Sequence, residues 1–170
     1  MTDKKIKVLT ISDHPLSPSG VGTQTKYMIE ALLKTGRYQV VSFGGAVKHA
    51  NYDPHTVDPY GDDWLIFPVD GYGDKDKIRS IIRSQKPDIL WFMTDPRFYE
   101  WLWLMDNEVR QHMPMVYYHV WDNYPAPVYN KSWYEYEGHP YTFGIGLHGP
   151  PGTGKTSIIK CIANKLNRNI

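Results

Sequence analysis

The amino-acid sequence predicts an α/β fold built on a doubly wound, parallel, Rossmann-like sheet. Three observations carry this. Short apolar runs rich in β-branched and aromatic residues alternate with segments of helical period over the first 120 residues, the pattern of successive βα units. The runs are apolar on both faces, as strands are when helices cover a sheet on both sides. A further apolar run, a glycine-rich loop and a helical stripe close the chain in the same order.

Residues 6–12 (IKVLTIS) read as the first strand, and Asp13–Gly22 (DHPLSPSGVG) as a loop. Thr23–Lys34 follows with Tyr27, Met28, Ala31 and Leu32 at helical spacing, and Gly36 supplies the stop. Tyr38–Phe43 (YQVVSF) is the second strand. Gly44–Asp63, polar and holding Pro54 and Pro59, reads as a long loop. Trp64–Val69 (WLIFPV) is the third strand, and its Pro68 suggests a sheet edge. Lys75–Gln85 reads as a helix facing inward through Ile78, Ile81 and Ile82, broken by Lys86-Pro87-Asp88. Ile89–Met93 (ILWFM) is the fourth strand. Phe98–Arg110 is expected as one helix with Phe98, Trp101, Leu102, Met105 and Val109 on one side. Met115–Val120 (MVYYHV) is the fifth strand. Phe143–Leu147 (FGIGL) is expected to add a sixth parallel strand beyond the fifth, giving the order 3-2-1-4-5-6, or else to form an appended unit.

Composition bounds the function. The chain of 170 residues is long enough to bury a sizeable core, and 41% apolar with 22% charged residues sets it apart from disordered chains. A formal charge of +1 gives no electrostatic case for nucleic acid or an anionic membrane. The one cysteine, Cys161, excludes an internal disulfide and a cysteine-based zinc site. No run is long enough for a signal sequence or a membrane span, so a cytoplasmic location is expected. His14, His49, His55, His112, His139 and His148 show no metal-ligand spacing and are assigned no metal, and His119, within the fifth strand, reads as a core or hydrogen-bonded histidine.

The sharpest motif is GPPGTGKT at Gly149–Thr156, which fits the phosphate-binding (Walker A) loop G-x-x-x-x-G-K-S/T at every defined position. Gly149, Gly152 and Gly154 allow tight turns that aim backbone N–H groups inward, with Pro150, Pro151 and Thr153 between them. Lys155 has the reach for β- and γ-phosphates, and the Thr156 hydroxyl suits Mg²⁺. Ser157 opens a helix whose apolar stripe runs through Ile158, Ile159, Ile162, Ala163 and Leu166. The expected cofactors are ATP and Mg²⁺. Because the chain ends at Ile170, an acidic Mg²⁺-holding strand is not expected, and phosphate binding without effective hydrolysis follows.

Two resemblances meet in the chain. The strand IKVLTIS, the loop DHPLSPSGVG, the helix start TKYMIEAL, and the segments KPDILWFM and YYHVWDNYPAP make residues 5–133 resemble the N-terminal half of a B-type, two-domain glycosyltransferase. That resemblance implies a nucleotide sugar and a glycosyl acceptor as partners. It gives Gly20 and Gly22 a role near donor phosphates and places Asp122 where the family has a His-Asp pair, with Trp121 in the histidine position. GHPYTFGIGLHGPPGTGKTSIIKCIANKL, within residues 138–170, is similar to the opening of an AAA-type ATPase module. A glycosyltransferase-like domain over residues 1–133 and a truncated phosphate-loop segment over 134–170 would make the chain chimera-like.

Individual residues keep two readings. Gly20 and Gly22 either approach phosphate or supply turns with positive φ. Asp95, in MTDPR, either contacts an acceptor or starts a helix through an Asp-Pro turn. The Trp101–Trp103 and Tyr117–Tyr118 aromatics are expected to pack the sheet. Nucleotide binding, a glycosyltransferase relic and a non-functional fusion product remain three separate expectations.

Overall fold

Residues 6–13 (IKVLTISD) are rich in β-branched residues, and Ile6–Asp13 forms β1, the centre of the sheet in a computed structural model that describes residues 4–119. The chain divides into two compact units, Met1–Asn123 and Tyr124–Ile170, and the structure described below is that of the first. The elements that follow are α1 (Gly20–Leu33), β2 (Tyr38–Gly45), β3 (His55–Val57), β4 (Gly61–Pro68), α2 (Lys75–Gln85), β5 (Ile89–Thr94), a 3₁₀ turn (Pro96–Tyr99), α3 (Glu100–Trp103), α4 (Asp106–Arg110) and β6 (Met115–His119). The sheet order is β3-β4-β2-β1-β5-β6. Four pairings are parallel, and β3 alone runs antiparallel, against β4. The five strands expected in this region and their order are therefore present.

Register fixes what each face carries. Val8, Val40 and Trp64 lie side by side across β1, β2 and β4. With Ile66 they bury against Ile29 and Leu33 of α1, all six at 7% exposure or less. On the opposite face, Leu9 pairs with Leu90 and Ile11 with Phe92. There Phe92 packs on Tyr99 and Trp103, and Phe43 on Trp101. Arg79 of α2 forks onto Glu108 of α4 through Nε at 2.8 Å and Nη2 at 2.7 Å, tying these two helices together. Helices thus cover both faces, which parallel sheets require.

The α1 face also carries a buried polar chain. Trp64 Nε1 donates to Ser42 Oγ at 3.0 Å, and Thr10 Oγ1 donates to the same oxygen at 3.1 Å. Ser12 and Thr25 share a hydrogen bond of 2.6 Å, tying β1 to α1. Each buried hydroxyl is satisfied, so these groups avoid the desolvation penalty of an orphaned donor.

Local chemistry sets the boundaries. Asp74 caps α2 by accepting from the Asp76 and Lys77 amides at 3.0 and 2.9 Å, and Lys86 ends it at φ 48°. Gly36, at φ 71°, turns the chain after α1, as its position in the sequence suggests.

Four expectations need correction. The helix α1 begins at Gly20 rather than Thr23, because Ser19 caps it. The long loop 44–63 contains β3, whose short polar strand HTV leaves no periodic signal. Pro68 does not mark an edge strand, since β4 lies between β2 and β3. It is the last residue of β4, beyond the reach of β3, which stops at Ile66, so its missing N–H breaks no bond on that side. The single helix 98–110 is instead a 3₁₀ turn and two short helices. Leu102, Met105 and Val109 are buried as expected, but Phe98 is 48% exposed. The expected sixth strand, Phe143–Leu147, lies outside the described residues.

Ile29 is fully buried where α1 meets three strands. Ile29→Ala is expected to lower unfolding free energy by about 2–5 kcal/mol. Tyr27→Ala, on the exposed face of the same helix, is expected to change it by about 0.5 kcal/mol or less. Urea denaturation of both variants checks the pair.

Candidate functional site at the carboxyl edge of the sheet

In a doubly wound sheet, ligands bind outside the carboxyl ends of the strands, where the strand order reverses. Here that point falls between β1 and β5. The segment after β1 turns sharply: Ser17 N–H donates to His14 O at 2.9 Å, and Ser19 Oγ accepts from Gly22 N–H at 2.9 Å while donating to Asp13 Oδ2 at 2.7 Å. Ser19 therefore links the end of β1 to the first turn of α1.

The two candidate glycines part company. A side chain on Gly20 would meet nothing within 4 Å. A Cβ on Gly22 would come within 2.4 Å of Ser17 Oγ and 2.6 Å of His14 O. Neither has positive φ, since both sit in the first turn of α1. The turn reading is corrected on this point: Gly22 is required because the preceding loop folds back onto the helix. Its amide is already engaged by Ser19.

Asp95 starts the 3₁₀ turn after β5. It accepts from the Arg97 amide at 2.9 Å and holds the Arg97 guanidinium, with Nε at 2.9 Å from both carboxylate oxygens. The helix-starting role expected of Asp-Pro is present. Burial, the larger cause, and then the charges of Asp13 and Asp95 raise the Tyr72 phenol above the ordinary tyrosine range. Asp13 likewise adds to the upward shift of Tyr99, which burial dominates. Tyr99 Oη donates to Ser12 O at 3.3 Å. Asp13 at the end of β1, Asp95 just after β5 and Tyr72 in the segment after β4 thus interact electrostatically at this edge. Tyr72 also stacks on Phe98, with centroids 4.5 Å apart and planes 3° from parallel. This arrangement offers acceptors for ligand hydroxyls beside an aromatic face.

A second cluster lies alongside. The His14 ring sits 4.9 Å from His49 and 6.2 Å from His55, centroid to centroid. Only 8% of His14 is exposed, and its Nδ1 accepts from Leu16 N–H at 3.2 Å. Burial, then the nearby His49 and His55, holds His14 down to about 4. Among the described residues no group of three or more His, Cys, Asp or Glu side chains is placed to hold a metal ion. No helix among them is long and apolar enough to cross a membrane.

Sequence reasoning missed Tyr72, Asp13 and the three histidines as parts of one edge. Their shared signal is position alone: Asp13, His14, His49 and Tyr72 lie at or after the carboxyl ends of parallel strands, and His55 opens β3, which runs antiparallel and so begins beside the carboxyl end of β4. Of the aromatics expected to pack the sheet, Trp103 and Tyr117 do so around Phe92, whereas Tyr118 is 52% exposed. Asp122 and the phosphate-loop residues Gly149, Pro150, Pro151, Gly152, Thr153, Gly154, Lys155, Thr156 and Ser157 lie outside the described residues.

Comparison with known proteins bears on that second segment. Residues 145–170 match the family "ATPase family associated with various cellular activities (AAA)". The chain is 51% identical over 41 residues to the probable mitochondrial chaperone BCS1-A of Dictyostelium discoideum, covering 24% of this chain and 10% of that protein. It is 46% identical over 41 residues to the probable mitochondrial chaperone bcs1 of Schizosaccharomyces pombe, covering 24% and 9%. Against the mitochondrial chaperone BCS1 of Homo sapiens the identity is 46% over 41 residues, covering 24% and 10%. The match spans about a tenth of the length of these relatives. No solved structure matches the chain significantly.

The depressed His14 has a consequence for stability. Its folded value near 4 lies below the ordinary 6.5, so the unfolded chain binds the extra proton between those values. Stability is therefore full above about pH 6.5 and falls as pH drops toward 4. At ~1.4 kcal/mol per pH unit the loss is about 3 kcal/mol. Urea midpoints at pH 7.5 and pH 4.5 are expected to show it, and His14→Gln to flatten the difference.

Proposed function

We propose that the chain binds Mg-ATP through Gly149–Thr156, as an AAA-type nucleotide-binding segment joined to an α/β domain. The observation that carries this is the AAA match over residues 145–170, which includes GPPGTGKT without a departure from the phosphate-loop pattern. In this reading the amides around Gly152 and Gly154 surround the phosphates. Lys155 neutralises the β- and γ-phosphates, Thr156 meets Mg²⁺, and Ser157 opens the helix that presents its N-terminus to the anion. Glycines suit this task because the backbone itself, not side chains, must approach the polyphosphate. Isothermal titration of the full chain with Mg-ATP is expected to give saturable binding, weakened at least about ten-fold in Lys155→Ala, a loss of ~1.4 kcal/mol or more. Equal heats from the two proteins would refute it.

A second reading concerns residues 4–119. Asp13 ends β1 and Asp95 follows β5, the two strands at the reversal of strand order, and both charges act on Tyr72. This supports a pocket for a nucleotide sugar or glycosyl acceptor, as the resemblance to B-type glycosyltransferases implies. Carboxylates accept from sugar hydroxyls, and the Tyr72–Phe98 face suits a sugar or base ring. Gly22 contributes by holding the loop after β1 in place, and Gly20 leaves its side of the helix start open. Millimolar UDP- or GDP-sugars are expected to raise the melting temperature of the wild-type chain by mass action. An unchanged melting temperature with every sugar nucleotide removes this reading and leaves the first untouched.

A further inference from the structure

We propose that a lysine-lined groove at the amino edge of the sheet, opposite the candidate site, binds an acidic polypeptide segment in extended form. Lys4 and Lys5 precede β1, Lys7 is its second residue, and Lys86 lies between α2 and β5. Parallel pairing of β1 with β5 brings these strand starts together. The four lysines line one groove of about 490 Å³, with Ser84 and Asp88 among its other walls. The formal charge of +1 for the whole chain conceals this local excess.

The protein neutralises only part of it. Lys5 Nζ lies 2.5 Å from Asp63 Oδ2, whose other oxygen accepts from Gln39 Nε2 at 3.3 Å. Lys4 Nζ stands 3.6 Å from Asp88 Oδ1, and 85% of the Lys4 side chain is exposed. Asp88 has little more to give, because its Oδ2 accepts from the Lys7 amide at 2.8 Å. Lys7 and Lys86 form no ion pair among the described residues. Asp62, the other acidic residue at the start of β4, does not line the groove. Carboxylates from a ligand would supply the missing counter-charges, most strongly at low salt.

The chemistry of the groove favours a polypeptide over a compact phosphate or a nucleic acid. The backbone amides on this edge are engaged: Ile6 N–H donates to Arg37 O at 2.9 Å, Lys86 N–H to Ile82 O at 2.9 Å, and Asp88 N–H to Lys7 O at 2.8 Å. No nest of N–H groups is left to cradle a phosphate. No aromatic ring is among the residues that line the groove, so nothing there stacks a base. What remains are ammonium groups on flexible stems, point charges that follow carboxylates spaced along a chain. Ser84 also lines a second groove, along Arg83 of α2. The path therefore continues beyond the lysines, which suits an extended segment whose side chains recur on one face about every 7 Å.

Fluorescence anisotropy of the full chain with labelled octaglutamate tests the groove. Saturable binding is expected at about 20 mM salt, weakened at least about ten-fold at about 200 mM. Lys7→Gln/Lys86→Gln is expected to weaken it at least about ten-fold, and Lys7→Arg/Lys86→Arg to stay within about three-fold of the wild type. Lys26→Gln/Lys48→Gln removes the same charge outside the groove and is expected to stay within about two-fold. Absence of binding overturns the proposal. So does an equal loss in both glutamine variants, which would mean attraction to overall charge, and so does a loss in the arginine variant. Labelled oligothymidylate of equal charge that binds more tightly than octaglutamate, with the same dependence on Lys7 and Lys86, overturns the choice of a polypeptide. None of these substitutions touches Gly149–Thr156, so the outcome is independent of the Mg-ATP reading.

Discussion

Everything in the described domain depends on β1 being dry on both faces over Val8–Ser12 while hydrogen-bonded on both edges. It pairs in parallel with β2 along its whole length and with β5 over Val8–Ile11. A strand so enclosed has no face left for water, so its side chains must be apolar or satisfied within the protein. Leu9 and Ile11 meet the first condition, and Thr10 and Ser12 meet the second through Ser42 and Thr25. The two helical layers follow from this, because each face of β1 needs cover. α1 supplies one side, and Tyr99, Leu102 and Trp103 help supply the other.

The same enclosure concentrates reactive groups at one end. Polar side chains excluded from the strands gather where the strands stop and the chain turns. Ser19 illustrates how closely packed that end is. One hydroxyl caps α1, receives the Gly22 amide and donates to Asp13. Its neighbour Gly22 has no room for a methyl group. Gly44 and Gly45 are equally confined, one by His14 and the other by Gly71 O and Tyr99 Oη. The carboxyl edge is thus a set of close backbone approaches, with Asp13, Asp95, Tyr72 and the histidines held on a rigid scaffold.

Two kinds of chemistry sit in separate stretches of the chain. The AAA-like match begins at residue 145 and contains the phosphate-loop pattern GPPGTGKT. The α/β domain offers carboxylates and a phenol, which accept hydrogen bonds from ligand hydroxyls, and Asp13 is tied to the first turn of α1 through Ser19.

Strong periodicity made much of the fold legible in the sequence. The runs IKVLTIS, YQVVSF, WLIFP, ILWFM and MVYYH each lie in a strand, and Lys75–Gln85 became α2 at the expected bounds. Those features are written locally, in side-chain alternation and in breakers such as Gly36 and Lys86-Pro87. The phosphate-loop motif is local in the same way. The strand HTV was not legible, because a three-residue polar edge strand is stabilised by its partner β4 rather than by its own pattern. Nor was the break within 98–110. The packing of Tyr99 and Trp103 onto Phe92 outweighs the helical spacing of Phe98 and Trp101. The true reason for Gly22, and the meeting of His14, His49 and His55, required the tertiary structure. Contacts between residues 35 and 41 positions apart are set by strand order and register, and no single segment of sequence encodes either.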